Sequence, residues 1–195
     1  MRIVAGKFRS RQLKSVGKLD LRPTSDRLRE TLFNVLAADV EGSVFIDCFA
    51  GTGAVGIEAL SRGARRVIFV EKHPPTAALI LSNLKSLGVD PETSIGDGTA
   101  GTEILTTNAG KGLLQLASQN VRADILFADP PYAEIGMCVK ALERATALEI
   151  TGKLLGENST IIIEHATRSA LPETIGQFQR RRILKQGDST LSFYR

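Results

Sequence analysis

Val44-Phe45-Ile46-Asp47-Cys48-Phe49-Ala50-Gly51-Thr52-Gly53-Ala54-Val55-Gly56 decides the fold. Its first half is a near-continuous apolar run, as expected of a strand buried on both faces of a sheet. Its second half is a glycine turn that opens into Ile57-Glu58-Ala59-Leu60, a helix. Glycines there let the backbone bend sharply and approach a ligand closely. Twenty residues beyond Gly51, Arg66-Val67-Ile68-Phe69-Val70-Glu71 is a second buried strand that ends in an acid. A carboxylate at that place can accept hydrogen bonds from both hydroxyls of a ribose. Strand, glycine turn, helix, strand and acid together point to a ligand containing adenosine.

Asp47 narrows the ligand. A carboxylate at the tip of the first strand suits a ligand carrying an ammonium and a sulfonium, such as S-adenosylmethionine. It suits a pyrophosphate poorly, because like charges repel. The competing reading is a structural acid that bonds the backbone amides of the turn.

The same alternation continues outward. Thr76 to Leu87 is expected as a helix closed by Gly88, and Glu103 to Thr106 as a third strand. Leu113 to Ala117 reads as a short helix, Asp124 to Asp129 as a fourth strand, Val139 to Leu148 as a helix and Ser159 to Glu164 as a fifth strand. Asp90 to Thr102, rich in Gly and Thr, reads as a loop. Arg181 to Leu184 and Thr190 to Tyr194, around Gly187-Asp188, read as an antiparallel hairpin. The expectation is therefore an α/β fold: one Rossmann-like domain over residues 1–195, mostly parallel, with an antiparallel C-terminal hairpin. Ahead of it, residues 1–22 read as a hairpin or extended arm, and residues 1–24 as an appendage to the domain. Thr24 or Ser25 would cap a helix from about 25 to 38.

The fourth strand ends in Asp129-Pro130-Pro131-Tyr132, where doubly wound sheets place their ligands. Two prolines stiffen the turn and remove two N–H donors, leaving it rich in acceptors. An exocyclic amine on a base is a poor nucleophile, since its lone pair is delocalised into the ring. The Asp129 carboxylate and the Pro130 carbonyl could each accept one of its N–H bonds and stabilise the charge developing on nitrogen. Tyr132 could stack on the base. Neither His73 nor His165 has a partner spaced for metal binding, and Cys48 and Cys138 read as buried small hydrophobes, so no metal is expected.

Charge adds a partner. The net charge is +4, but residues 1–30 hold nine basic side chains against three acidic ones, leaving the remaining 165 residues at −2. A basic arm on a near-neutral body points to a polyanionic partner, with Arg2, Lys7, Arg9, Arg11, Arg22 and Arg27 as candidate phosphate contacts. No apolar run is long enough to span a bilayer, and the N-terminus has no signal-peptide pattern, so the expected location is the cytoplasm.

These motifs together resemble the bacterial RsmD family of 16S ribosomal RNA guanine-N2 methyltransferases. The resemblance rests on Arg2-Ile3-Val4-Ala5-Gly6, Arg22-Pro23-Thr24 with Arg29-Glu30, Asp47 to Gly53, Phe69-Val70-Glu71, Asp129 to Tyr132, and Gly187-Asp188 to Tyr194. It implies a class I methyltransferase sheet and transfer of a methyl group from S-adenosylmethionine to N2 of guanine 966 in 16S RNA. The substrate would be a partly assembled small subunit and the enzyme a monomer. The cofactor would be held by Asp47, Phe49, Ala50, Gly51, Gly53, Glu71 and Lys72, the target base by Asp129 to Tyr132. At the third strand the family's Asp-Ala pair is replaced by Asn108-Ala109, with Asp97 a competing contact for the adenine. The Asp-Pro-Pro-Tyr element is shared with adenine-N6 enzymes acting on DNA or RNA, so that activity is the alternative. An NAD-dependent oxidoreductase and a non-catalytic RNA-binding module are more distant ones.

Overall fold

A computed structural model of the chain describes residues 1–15, 25–90, 101–147 and 154–195. The described residues form one eight-stranded mixed sheet with helices on both faces. Strands β1 (Val44–Cys48), β2 (Arg66–Glu71), β3 (Gly101–Thr106), β4 (Ala123–Ala128) and β5 (Leu155–Ala166) are parallel. Strands β6 (Thr174–Ile175), β7 (Phe178–Gln186) and β8 (Ser189–Tyr194) are antiparallel, and the spatial order is β3-β2-β1-β4-β5-β8-β7-β6. The expected Rossmann-like sheet with its antiparallel hairpin is borne out. Gly187, at φ +61°, takes the first central position of the two-residue β7–β8 turn, where a side chain would be strained.

Side chains alternate across the strands and so build two cores. Phe45, Val67, Phe69, Ile125 and Phe127 face α1 (Asp26–Val35), α3 (Ala54–Ser61) and α4 (Pro74–Ser86). Val44, Ile46, Ile68, Leu126 and Ile161 face α5 (Ala109–Ser118) and α6 (Ile135–Thr146). Both faces being covered explains why the central strands β1, β2 and β4 are apolar along most of their length: burying each such side chain stabilises the fold by about 1.5–3 kcal/mol. A four-residue α2 (Ala37–Val40) follows α1. No described helix is long and apolar enough to cross a membrane.

Several boundaries differ from the sequence reading. Ser25 caps α1 by accepting from the Leu28 N–H. Gly101 and Thr102 belong to β3 rather than to a loop, because they pair with Arg66 and Val67 of β2. Helices α5 and α6 start four residues earlier than read, and β5 extends four residues before Ser159. Their additional residues are mixed in polarity, and tertiary pairing overrides that local signal.

The basic N-terminal segment is a hairpin, with Arg2 bridged to Gln12, but it is docked rather than free. Ile3 and Leu13 enter the core on the α3 side. Glu58 of α3 accepts the backbone N–H of Val4 at 2.7 Å and of Ala5 at 2.9 Å. The buried Asn83 of α4 accepts from Lys14 N and donates to the carbonyl oxygens of Lys14 and Thr52. That hydrogen-bond set ties the hairpin to the glycine turn.

Candidate active site

The sheet reverses its winding between β1 and β4, so the crevice beyond their carboxyl ends is open for a ligand. Cys48 pairs with Ala128, and Asp129 N donates to Cys48 O at 3.4 Å. The glycine turn after β1 and the acidic proline turn after β4 therefore leave adjacent strand tips. They line one cavity of about 1080 Å³, together with Glu71 and Asn108. That volume is at the upper end for small-molecule sites and accommodates a nucleoside together with a base.

The turn itself is held by acids. Glu71 is buried; one carboxylate oxygen accepts from Gly51 N at 2.9 Å and the other from His73 N at 2.8 Å. Each oxygen keeps a second lone pair, so Glu71 can still receive ribose hydroxyls. Asp47 accepts from Gly56 N at 2.8 Å and so serves the third residue of α3 as a cap. The structural role considered for Asp47 is thus real, and the residue lines the cavity as well. Desolvation pushes its carboxyl from 3.8 up to about 8, the nearby Glu71 charge adds to this, and the Gly56 bond opposes it. Gly53 has φ +78° and caps α3, and a Cβ there would crowd Ile80 and Phe69 at 3.1 and 3.3 Å. Phe49 adopts φ +60° without being glycine, a strained conformation of a kind that concentrates at functional turns.

The rest of the cavity divides by chemistry. Phe49, Ala50, Ala109 and Leu114 give it apolar walls near the tips of β1 and β3. Asn108 caps α5, its amide oxygen accepting from Lys111 N at 2.9 Å. Asp97 lies outside the described residues. Pro130 is buried, whereas Pro131 and Tyr132 are exposed, with the tyrosine leading a single 3-10 turn, Tyr132–Glu134. Lys72 forms an ion pair with Glu134, tying the tip of β2 to that turn. Of the four large hydrophobics exposed among the described residues, three, Leu114, Tyr132 and Met137, line this cavity, and only Ile183 does not. Apolar surface so concentrated marks a binding face.

Every cofactor candidate among the described residues except Gly53 lines the cavity, as do all four residues of Asp129 to Tyr132. The arm candidates do not: Arg2, Lys7, Arg9, Arg11 and Arg27 lie outside its lining, and Arg22 is outside the described residues. Lys7 N donates to Ser61 O at the end of α3, and Arg11 donates to Ser86 O at the end of α4. Both contacts are at the helix ends remote from the strand tips. The sequence reading missed the cations Lys111, Lys140 and Arg144, which do line the cavity. It also missed Glu164 of β5, whose signal is an acid at the end of an apolar strand.

Known proteins share this architecture. A family model described as Conserved hypothetical protein 95 matches residues 1–195. Ribosomal RNA small subunit methyltransferase D of Escherichia coli (strain K12) is 33% identical over 172 residues, covering 88% of this chain and 78% of its own. The protein of the same name from Haemophilus influenzae is 34% identical over 164 residues, covering 84% and 78%. A solved structure of a hypothetical protein from Thermus thermophilus superposes with a TM-score of 0.78 at 26% identity, covering 99% of this chain and 98% of that one.

Proposed function

The chain belongs to the Conserved hypothetical protein 95 family, the RsmD family its motifs resemble, and from that membership we propose that it is an S-adenosylmethionine-dependent ribosomal RNA methyltransferase. The acceptor is the exocyclic N2 amine of one guanine in 16S RNA, presented by a partly assembled small subunit. The observation that carries this reading is the shared cavity in which β1 and β4 deliver the glycine turn and the acidic proline turn side by side.

The residues present fit such a donor. Glu71 offers lone pairs to ribose hydroxyls, Asp47 an acidic site for an ammonium, and Ala109 and Leu114 apolar walls for a purine beside Asn108. When bound, the donor supplies a methyl group on a positively charged sulfur. Everything else is done by the chain. Asp129 and the Pro130 carbonyl accept the two N–H bonds of the amine, which orients its lone pair and stabilises positive charge as it develops. Asp129 then takes the proton that the methylated amine sheds. Tyr132, exposed at the mouth, stacks on the extruded base. Lys111, Lys140 and Arg144 receive the phosphates flanking that base, and the docked hairpin with Arg2, Lys7, Arg9 and Arg11 offers a second, more distant phosphate track. The protein acts as a monomer in the cytoplasm, as a single domain with residues 1–24 as its appendage.

Asp129→Ala should lower kcat by about 10²-fold or more while leaving RNA affinity nearly unchanged, because the acceptor acts on the transition state. Near-wild-type turnover would remove Asp129 from the mechanism. Mass mapping of ribosomal RNA from a strain lacking the protein should show one unmethylated guanine; loss of an N6-methyladenine instead would establish the adenine alternative.

A further inference from the structure

Glu164 has no role in the mechanism above. It lies on β5 next to Ile163, which pairs with Ala128 of β4. In parallel strands, neighbours in register point to the same face, so Glu164 follows Ile163 as Asp129 follows Ala128, on the same side of the sheet. Both line the cavity, and Glu164 is only 7% exposed. The end of the cavity that holds the acidic proline turn therefore presents two carboxylates from adjacent strands.

A pair of carboxylates, acceptor-only when ionised, selects a ligand edge with adjacent N–H donors. Among bases that carry an exocyclic amine, the edges differ in this respect. The adenine amine is flanked by N1 and the cytosine amine by N3, each a ring nitrogen bearing a lone pair. The guanine N2 amine is flanked on one side by N1–H, a donor. A carboxylate beside the amine site thus meets a proton in guanine and a lone pair in adenine or cytosine.

We propose that Glu164 is the specificity-determining residue of this site, accepting the N1–H of the target guanine while Asp129 and the Pro130 carbonyl hold its N2 amine. This rests on the guanine-N2 reading and gives it a physical cause. The Asp-Pro-Pro-Tyr turn grips any exocyclic amine, and the acid on the next strand decides which base presents it. Sites built to bond a donor discriminate strongly against an analogue lacking it, because the bond for which the site is arranged is then lost.

The test replaces the target guanine by 2-aminopurine, which keeps the amine at C2 but carries a lone pair at N1. The full-length protein is assayed for kcat/KM on both RNAs, free and in reconstituted small-subunit particles. Wild type should favour guanine by about 10²-fold or more. Glu164→Gln presents an amide N–H to N1, so its preference should shrink at least tenfold, through loss on guanine and gain on 2-aminopurine. Glu164→Asp keeps the acceptor and should retain the preference for guanine at reduced rate. A purely structural role for Glu164 predicts equal loss on both RNAs for Glu164→Gln, and an unchanged ratio would overturn the assignment. If mass analysis shows wild type methylating adenine instead, the guanine reading itself fails. If wild type methylates guanine N2 and Glu164→Gln keeps the ratio, only the role of Glu164 fails.

Discussion

Asp47 offers a quantitative test of the donor site. Its carboxyl is buried and titrates near pH 8, so below that pH the donor-free protein holds it mostly protonated. A cationic donor is bound by the ionised form, so binding below pH 8 must first expel a proton. Each unit of pH below 8 therefore weakens affinity about tenfold, roughly 1.4 kcal/mol. Between pH 8 and pH 6 the Kd for S-adenosylmethionine should rise up to ~100-fold. Above about pH 8 the α-amino group of the donor itself loses its proton and affinity falls again, so the profile is bell-shaped. Asp47→Asn keeps the acceptor that Gly56 N uses but cannot ionise. Its acid limb should be flat. Titration calorimetry at pH 6, 7, 8 and 9, in buffers of different ionisation enthalpy, measures both Kd and protons released. Wild type should release close to one proton on binding at pH 6 and the variant none. Equal slopes in the two proteins would refute an ionising Asp47 at the donor. The same group affects folding with a defined sign. Its folded pKa is raised, so its contribution to stability is fully present below about pH 4 and is lost as pH climbs through about 8. Asp47→Asn should lose that dependence in denaturation series across the window.

Other outcomes follow from the packing. Glu58→Ala leaves Val4 N and Ala5 N without their acceptor and strips the buried Arg29 and its neighbour Arg62 of an acid, so urea denaturation should show a loss of about 3–5 kcal/mol. Gly56→Ala places a Cβ 2.4 Å from the Phe69 ring and 2.9 Å from Val67, and should cost about 1–3 kcal/mol by the same measurement. Replacing Lys7, Arg9 and Arg11 together by Ala should reduce the slope of log affinity for RNA against log salt by about two, with the fold intact; an unchanged slope would show that the hairpin does not meet phosphates.

Much of this was legible in the chain alone, wherever one short segment carries the whole physical cause. Buried parallel strands must be apolar on both faces, so Val44 to Cys48 and Arg66 to Glu71 announced themselves. A glycine turn and a double-proline turn are backbone constraints written in residue identity, so Gly51 to Gly53 and Asp129 to Tyr132 could be read as the tips that hold a site. Longer-range facts were not local. That Asp47 caps α3, that the basic arm is pinned by Glu58 and Asn83, and that Glu164 stands in the strand beside Asp129 depend on register and helix packing. The strand order β3-β2-β1-β4-β5 brings together residues as far apart as Asp47 and Glu164. No periodicity in the sequence encodes which strands become neighbours; that was decided by the closure of two apolar cores around one sheet.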